Sequence, residues 1–344
     1  MMVSPQGFLE YHSDESYKEL LPIRDGLLAA ILFFEEHKDD PKVIVCPSPE
    51  VVYQCNLTYL AKLCDLIAEK YNQEYVWGNK EKKDVHYLFK IRSFLKRKCP
   101  QYNSFLLFSI EERKAGRIFS TSDHIKGLVH SLLTAQTKWR LIEPHLPEID
   151  KLFFDYDIEK INRASAEHFY NGLFALKCGN RSTKAQMEAL HHNITVFEKI
   201  ASEYGSVDAF VTSAPAHEIV QRFSKADSPY KLRMLGNALV WEYLRNLGID
   251  GAKPDTHLRR FLSKDRMGTG SSGFASADEV TKQVNDLSEE TGLTKREVDN
   301  LIWSFCADGF GEVCTASPHC SICVIRQSCK RGTSLIPRAE VPAI

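Results

Sequence analysis

The sequence predicts a mainly α-helical protein of two domains, and three observations predict it. Apolar residues recur at helical spacing over most of the chain. From Ser122 onward no strand pattern interrupts that spacing. Four cysteines then gather near the end, Cys314, Cys320, Cys323 and Cys329, in the pattern C-x5-C-x2-C-x5-C, so that a loop closes the helical region. A chain of 344 residues can bury a large core and divide into two domains. The longest apolar run, Gly26–Phe34, is too short to cross a bilayer. The opening MMVSPQGFLEYHSDE has neither the basic flank nor the apolar core of an export signal. The expectation is a cytoplasmic protein with no membrane partner.

A net charge of −1 argues against a basic domain that binds nucleic acid through its overall field. Basic and acidic residues stay close to balance on both sides of Arg117. Any contact with DNA must therefore come from local patches or helix N-termini.

Up to about Ala115 the chain mixes helical stretches with a strand candidate. Arg24–His37 and Pro49–Asn72 have helical spacing, and in the second Val52, Leu60, Leu63 and Ile67 fall near one face. Val43–Cys46, ended by Pro47 and Pro49, reads as a short strand. This region is thus an α or α+β extension of unknown role over residues 1–115. Lys90–Lys98 (KIRSFLKRK) is its densest basic segment and reads as a solvated helix face rather than a nucleic-acid patch.

Ser122 or Asp123 is placed to cap the next helix, whose buried stripe is Ile125, Leu128, Val129, Leu132 and Leu133. Gln136 continues that stripe, which a polar residue rarely does. Either the helix ends and Gln136 bonds locally, or it projects from the helix end as a polar probe. Further helices are expected around Ala185–Tyr204, Ala216–Ser224, Ala238–Leu247 and Lys295–Cys306, with Met267–Ala277 as a flexible Gly/Ser loop. Trp139 and Trp241 read as core, and Trp303 as packing against whatever the cysteines hold.

Four thiols within sixteen residues point to a metal centre, because soft sulfur ligands hold zinc or iron–sulfur clusters. The two-residue gap lets Cys320 and Cys323 reach one centre from a tight turn. Cys306, eight residues before Cys314, is a rival ligand. The scattered Cys46, Cys55, Cys64, Cys99 and Cys178 read as core residues or free thiols, which suits a reducing compartment.

The other informative stretch is Leu232–Leu262. Gly236 sits in a turn that starts a helix, and Gly248 stands where that helix stops. Lys253-Pro254-Asp255-Thr256-His257 then leads into another helix. Asp255 is either an ordinary N-cap or a carboxylate positioned for chemistry.

Leu132–Gln136 (LLTAQ), the glycine turn at Gly236, Pro254–His257 (PDTH) and the four-cysteine loop stand in this order. Together they resemble the helix–hairpin–helix DNA glycosylase superfamily, in its iron–sulfur branch with endonuclease III and the adenine glycosylase. The likeness covers Phe119 to Arg331, roughly three fifths of the chain. It implies a fold of two helical subdomains with a C-terminal cluster loop, a glycosylase domain over residues 116–335, and a monomer acting on double-stranded DNA with a flipped base. If the source is bacterial, it implies association with the nucleoid. The implied reaction is scission of the bond between a damaged, mispaired or modified base and its sugar, as in base excision repair. Asp255 matches the catalytic aspartate, and Gln136 matches the residue that fills the gap left by the base. The segment Leu232–Ala238 matches the hairpin whose amides hold a phosphate. The implied DNA-contacting set is Gln136, Gly236, Asn237, His257 and Arg259, with His257 steadying its turn and Arg259 and Arg260 near phosphate or on a solvated face. Cys314, Cys320, Cys323 and Cys329 match the ligands of a [4Fe-4S] cluster, zinc being the alternative.

Four departures from the family pattern stand out. The lysine that forms an imine in lyase members is replaced by Ala238 or Asn237, depending on the anchor, and Lys231 lies on the wrong side of the turn. A monofunctional glycosylase is therefore expected; a glycosylase/lyase using Lys231, an inactive DNA-binding module and a zinc adaptor are the competing readings. Met234 takes the place of one hairpin glycine, which weakens the expected phosphate grip. The first cysteine gap has five residues rather than six and lacks Lys and Arg (Thr315–His319), so this loop should touch DNA less. An insertion between Asp150 and Gly179 lengthens the path from Gln136 to Asp255.

Overall fold

Short polar side chains start most of the helices by accepting the backbone N–H groups that the first turn leaves without partners. Ser4 accepts from Gly7 N, and Ser48 accepts from Val51 N. Ser120 with Asp123, Ser276 with Glu279 and Thr294 with Glu297 form reciprocal capping boxes. The computed structural model describes residues 3–38, 47–72, 74, 86–99, 108–137 and 139–335. It is 69% helix with no strand among the described residues, apart from one isolated bridge between Ser263 and Gly270, so the mainly α class holds. The strand expected at Val43–Cys46 lies outside the described residues. No helix among the described residues is long and apolar enough to cross a membrane.

The chain forms two compact units, one made of Met1–Ala115 with Asp255–Ile344 and the other of Gly116–Pro254. The first unit begins with α1 (Pro5–His12), α2 (Tyr17–His37), α3 (Pro49–Tyr71), α4 (Tyr87–Lys98) and α5 (Phe108–Lys114). The buried face of α3 is Val51, Cys55, Tyr59 and Leu63, not the expected Val52, Leu60, Leu63 and Ile67. The face turns because Tyr59 counts as core: its hydroxyl accepts from Val3 N at 2.8 Å and donates to Val3 O, and its ring stacks on Phe8. α4 buries Leu88, Ile91, Arg92 and Leu95 and leaves Lys96, Arg97 and Lys98 exposed, a solvated basic face.

The second unit carries α6 (Thr121–Leu133), α7 (Trp139–Ile142), α8 (Leu146–Leu152), α9 (Ile158–Arg163), α10 (Ala166–Ala175), α11 (Thr183–Tyr204), α12 (Val207–Val211), α13 (Ala216–Ser224) and α14 (Asn237–Asn246). Its core is one continuous apolar cluster that includes the whole predicted stripe of α6. Each such Leu, Ile or Val contributes about 1.5–3 kcal/mol when fully buried. The cap of α6 is Ser120 rather than Ser122 or Asp123, so the helix starts two residues earlier than a Ser122 cap would place it and three earlier than an Asp123 cap would; Asp123 serves as the third residue of the capping box. Trp241 is core, as expected, and Trp139 packs half-buried against the same cluster. A polar contact crosses this core. His124 is fully buried, with Nδ1 2.6 Å from Tyr243 Oη and Nε2 3.3 Å from Asp208 Oδ1.

The segment after α8 turns through three consecutive left-handed residues, Phe154, Asp155 and Tyr156. L-residues pay about 1–2 kcal/mol each for that conformation. Asp150 ties the turn down: Tyr156 Oη donates to its Oδ1 at 2.6 Å, Lys126 Nζ donates to its Oδ2 at 2.7 Å, and His130 Nε2 lies 3.2 Å from Oδ1.

The chain then returns to the first unit with α15 (Thr256–Phe261), α16 (Ala277–Thr291), α17 (Lys295–Cys306) and α18 (Lys330–Ser334). The N-terminal residues pack onto this return. Ser4 N donates to Glu297 Oε1 at 3.1 Å, Arg92 Nη2 pairs with the same oxygen at 3.8 Å, and Lys98 Nζ donates to Gly311 O at 2.8 Å. The Gly/Ser segment Met267–Ala277 is fastened rather than loose: Gly270 N donates to Leu262 O, Ala275 N to Arg259 O, and a Cβ on Gly268 would meet Leu262 O at 2.1 Å.

Burial raises the Asp150 pKa, but its hydrogen bonds from His130, Lys126 and Tyr156 outweigh that and hold the carboxyl below its ordinary value. A group depressed in the folded state stabilises above its unfolded pKa, about 3.9 for Asp, and that stability is lost as pH falls through the folded value. Asp150→Asn should therefore cost about 1.5–3 kcal/mol at pH 7. In urea titrations the difference from the parent protein should shrink steadily below about pH 4; an equal difference at every pH would remove the carboxylate from the account.

Candidate functional site: a capped aspartate, an open hairpin and a four-cysteine cavity

After α17 the backbone folds back onto the end of its own helix. Gly311 N donates to Ser304 O, and Val313 N and Cys314 N both donate to Phe305 O, which fixes where Cys314 enters. Two short 3-10 turns, Cys320–Ile322 and Arg326–Ser328, follow. The first brings Cys323 N to Cys320 O, the tight turn expected from the two-residue gap. Cys329 then opens α18. All four cysteines line one cavity, whose other walls include Phe261, Phe305, Val313 and Ile325. Among the described residues no three His, Cys, Asp or Glu side chains close on a single point as ligands of one ion. The thiols share the walls of a cavity instead.

The surroundings of Cys314 are cationic. Arg266, 5% exposed, donates from Nη1 to Cys314 Sγ at 2.9 Å and to Thr315 O at 3.0 Å. Arg260 is 9% exposed and its Nε is enclosed without a partner. Neither guanidinium has a carboxylate partner among the described residues. A hydrogen bond from Cys306, outweighing burial and helped by both arginines, lowers the Cys314 thiol to about 6. Burial pushes Cys323 up to about 11. Two buried cations beside four sulfurs suit an anionic, thiolate-bound metal or cluster, so the donor set fits such a group. Cys306, the rival ligand, is absent from the cavity walls and is buried. Trp303 also does not line the cavity; it packs edge-on against Phe310 and His257.

Asp255 is the N-cap of α15. Its Oδ1 accepts from His257 N at 2.8 Å and Leu258 N at 3.1 Å, while Oδ2 has no partner among the described residues. The N-cap reading therefore accounts for one oxygen and leaves the other available on a half-buried carboxylate. His257 Nδ1 lies 3.2 Å from Arg260 Nη2, consistent with a residue that steadies the turn. Arg259 is committed on one edge, with Nε donating to Ala275 O at 2.7 Å and its guanidinium over Phe274.

In the other unit, Gly236 is the N-cap of α14 and offers no side-chain acceptor to its first turn. A Cβ there would meet nothing within 4 Å, so packing does not require glycine. Met234, expected to weaken this turn, adopts φ 64°, the left-handed conformation that a glycine would take. Asn193, fully buried, holds it there by accepting from Arg233 N at 2.7 Å and donating to Arg233 O at 3.1 Å. Asn237 contributes its backbone, since its side-chain Oδ1 is enclosed without a partner. Lys231 Nζ donates to the carbonyls of Leu232 and Leu235, and burial lowers its pKa. Gly248 is left-handed, and Ile249 N reaches back to Leu244 O, the helix stop expected there.

Gln136 lies three residues past the end of α6, exposed and left-handed at φ 58°. It does not continue the buried stripe. Asn180 Nδ2 donates to Ala135 O and Thr137 Oγ1, which fixes this turn, and Arg181 Nε donates to Gln136 Oε1 at 2.7 Å. Asn180, Arg181 and Asn193 were not singled out from the sequence. Their only signal was polar residues set in or beside apolar helices, a pattern shared by many residues without such a role.

Comparison with protein-family models, curated proteins and solved structures returned no match.

Met234→Gly should raise stability by up to about 1 kcal/mol, because removing a left-handed L-residue gains slightly more than glycine's extra chain entropy loses. Chemical denaturation reads this directly. A loss above about 1 kcal/mol would mean that the Met side chain, not the backbone angle, matters at this position.

Proposed function

We propose that the protein is a monofunctional DNA N-glycosylase that removes a damaged, mispaired or modified base. The observation that carries this reading is Asp255: one carboxylate oxygen is fastened to a helix N-terminus and the other is left open. Removing a base requires it to leave the stack, at a few kcal/mol, least for a damaged or mispaired one. Scission then develops positive charge on the sugar, and a fixed carboxylate lowers the energy of that charge and orients the attacking water. A rigid cap avoids the cost of reorienting the carboxylate at the moment of reaction.

The other parts support the same reading. The open amides at Gly236, behind the left-handed Met234, suit a DNA phosphate. Gln136, displayed on an exposed strained turn, suits insertion into the gap left by a flipped base. Lys231 is held by hairpin carbonyls, which supports hydrolysis without imine formation. Cys314, Cys320, Cys323 and Cys329 would hold a [4Fe-4S] cluster, whose metal–thiolate bonds close the loop around them. Their part is to hold this region together, not to break the glycosidic bond.

The test is to incubate the protein with duplexes that carry a panel of lesions and natural base modifications, and to identify freed bases by mass spectrometry. Release from at least one duplex is expected, with Asp255→Asn reducing it at least about a hundredfold and leaving DNA binding intact. Borohydride should trap no covalent adduct. Release from no substrate would leave a DNA-binding module in place of an enzyme, and a trapped adduct would make the protein a lyase.

Protein purified without oxygen should be brown and contain iron and acid-labile sulfide. Replacing Cys320 or Cys329 with Ser should bleach it. Colourless protein with one bound zinc and no sulfide would overturn the cluster assignment and favour an adaptor.

A further inference from the structure

Two turns of the second unit meet beside Gln136. After α10, Lys177 is left-handed and Cys178 N reaches back to Leu173 O, which ends the helix. Asn180 then joins this turn to the one after α6. Its Nδ2 donates to Ala135 O at 2.8 Å and to Thr137 Oγ1 at 2.7 Å, its Oδ1 accepts from Ser182 N, and its N donates to Thr183 Oγ1. Arg181, exposed next to that staple, donates from Nε to Gln136 Oε1 at 2.7 Å. A guanidinium can only donate, so the amide oxygen of Gln136 must be the atom that faces it. The Gln136 NH2 group is thereby turned away from Arg181, whose Nη groups have no partner among the described residues. Arg181 and Gln136 together offer hydrogen-bond donors, with the amide oxygen already engaged.

We propose that Arg181 is a specificity-determining residue: with Gln136 it reads the base left unpaired when its partner flips out, and it selects cytosine. This rests on the reading of Gln136 as the residue that enters that gap. The unpaired base turns its Watson–Crick edge to the gap. Cytosine presents two adjacent acceptors there, N3 and O2, which match donors from Gln136 Nε2 and an Arg181 Nη. The two acceptors of thymine flank an N–H, and adenine and guanine each present one acceptor beside a donor. Each of these three therefore sets a donor against one of the protein's donors. A base opposite cytosine is by pairing a guanine, so the substrate class is a damaged or modified guanine.

The test uses the full-length protein and duplexes that carry a stable abasic-site analogue opposite C, T, A or G, with binding read by fluorescence anisotropy. Such duplexes present the gap whatever base the protein releases. The duplex with C should bind tightest, roughly tenfold tighter than those with A or G, with T between. Arg181→Ala should lose most of that preference through weaker binding opposite C. A parent protein that binds all four equally, or that prefers another base, overturns the proposal, as does an unchanged preference in Arg181→Ala. Equal weakening on all four duplexes also overturns it, because the Arg181–Gln136 contact then only stiffens the turn. Binding no tighter to any of them than to an intact duplex overturns gap entry by Gln136, and this inference with it. Base release is measured separately: release without a preference for C ends this inference alone, and a preference for C without release ends the glycosylase reading alone.

Discussion

In an all-helical protein the unmet backbone hydrogen bonds collect at helix ends, and the first four N–H groups of every helix need acceptors. That constraint shapes the candidate chemistry of this chain. Ser4, Ser48, Ser120, Ser276 and Thr294 meet it with neutral side chains. At α15 a carboxylate meets it, and Asp255 is fixed in place by the same bonds that satisfy the helix. At α14 the N-cap is Gly236, which has no side chain to give, so no side chain satisfies the amides of that first turn. One constraint, answered in two ways, yields a held anion in one unit and an anion-seeking backbone in the other.

The sequence made much of the helical framework legible, because helices record themselves locally. Ala216–Ser224 and Lys295–Cys306 occupy the expected residues, and the five-residue stripe of α6 is wholly buried. Errors came where a side chain has two characters. Tyr59 and Cys55 belong to the α3 core, yet Tyr59 is there partly for its hydroxyl, so counting apolar residues picked the wrong face. α16 was missed because Val280, Val284, Leu287 and Thr291 make a thin apolar row on an otherwise polar segment. Long-range packing had no local signature at all. Nothing near Ser4 or Arg92 announces Glu297, and residues 1–115 share a compact unit with residues 255 onward.

At the candidate site, motif spacing located the chemical groups but not what holds them. Asp255, Gly236 and the cysteines are found by their order along the chain, whereas Asn193 and Asn180 fix turns from helices and loops distant in sequence. Met234 shows how a residue-type rule fails. Glycine is common in such turns because left-handed backbone costs it little, but the geometry is what matters, and a buried amide clamp on Arg233 imposes it on methionine. The substitution changes the energy of the turn more than its shape.

The same logic of cost and compensation applies around Cys314. A buried guanidinium without an anion carries a desolvation penalty of several kcal/mol. Arg260 and Arg266 both sit in that position, and neither pairs with a carboxylate among the described residues. A single thiolate at Cys314 cannot offset two such charges. Four metal-bound thiolates, which make the whole centre net negative, can, and that makes the cations and the cysteines each the physical reason for the other under the proposed reading. The compensation is also lopsided. Arg266 donates to the Cys314 sulfur, so a centre in this cavity would meet its cationic surroundings most directly through that one ligand. The backbone bonds that seat Cys314 against α17 would then fix the electrostatics of the whole cavity.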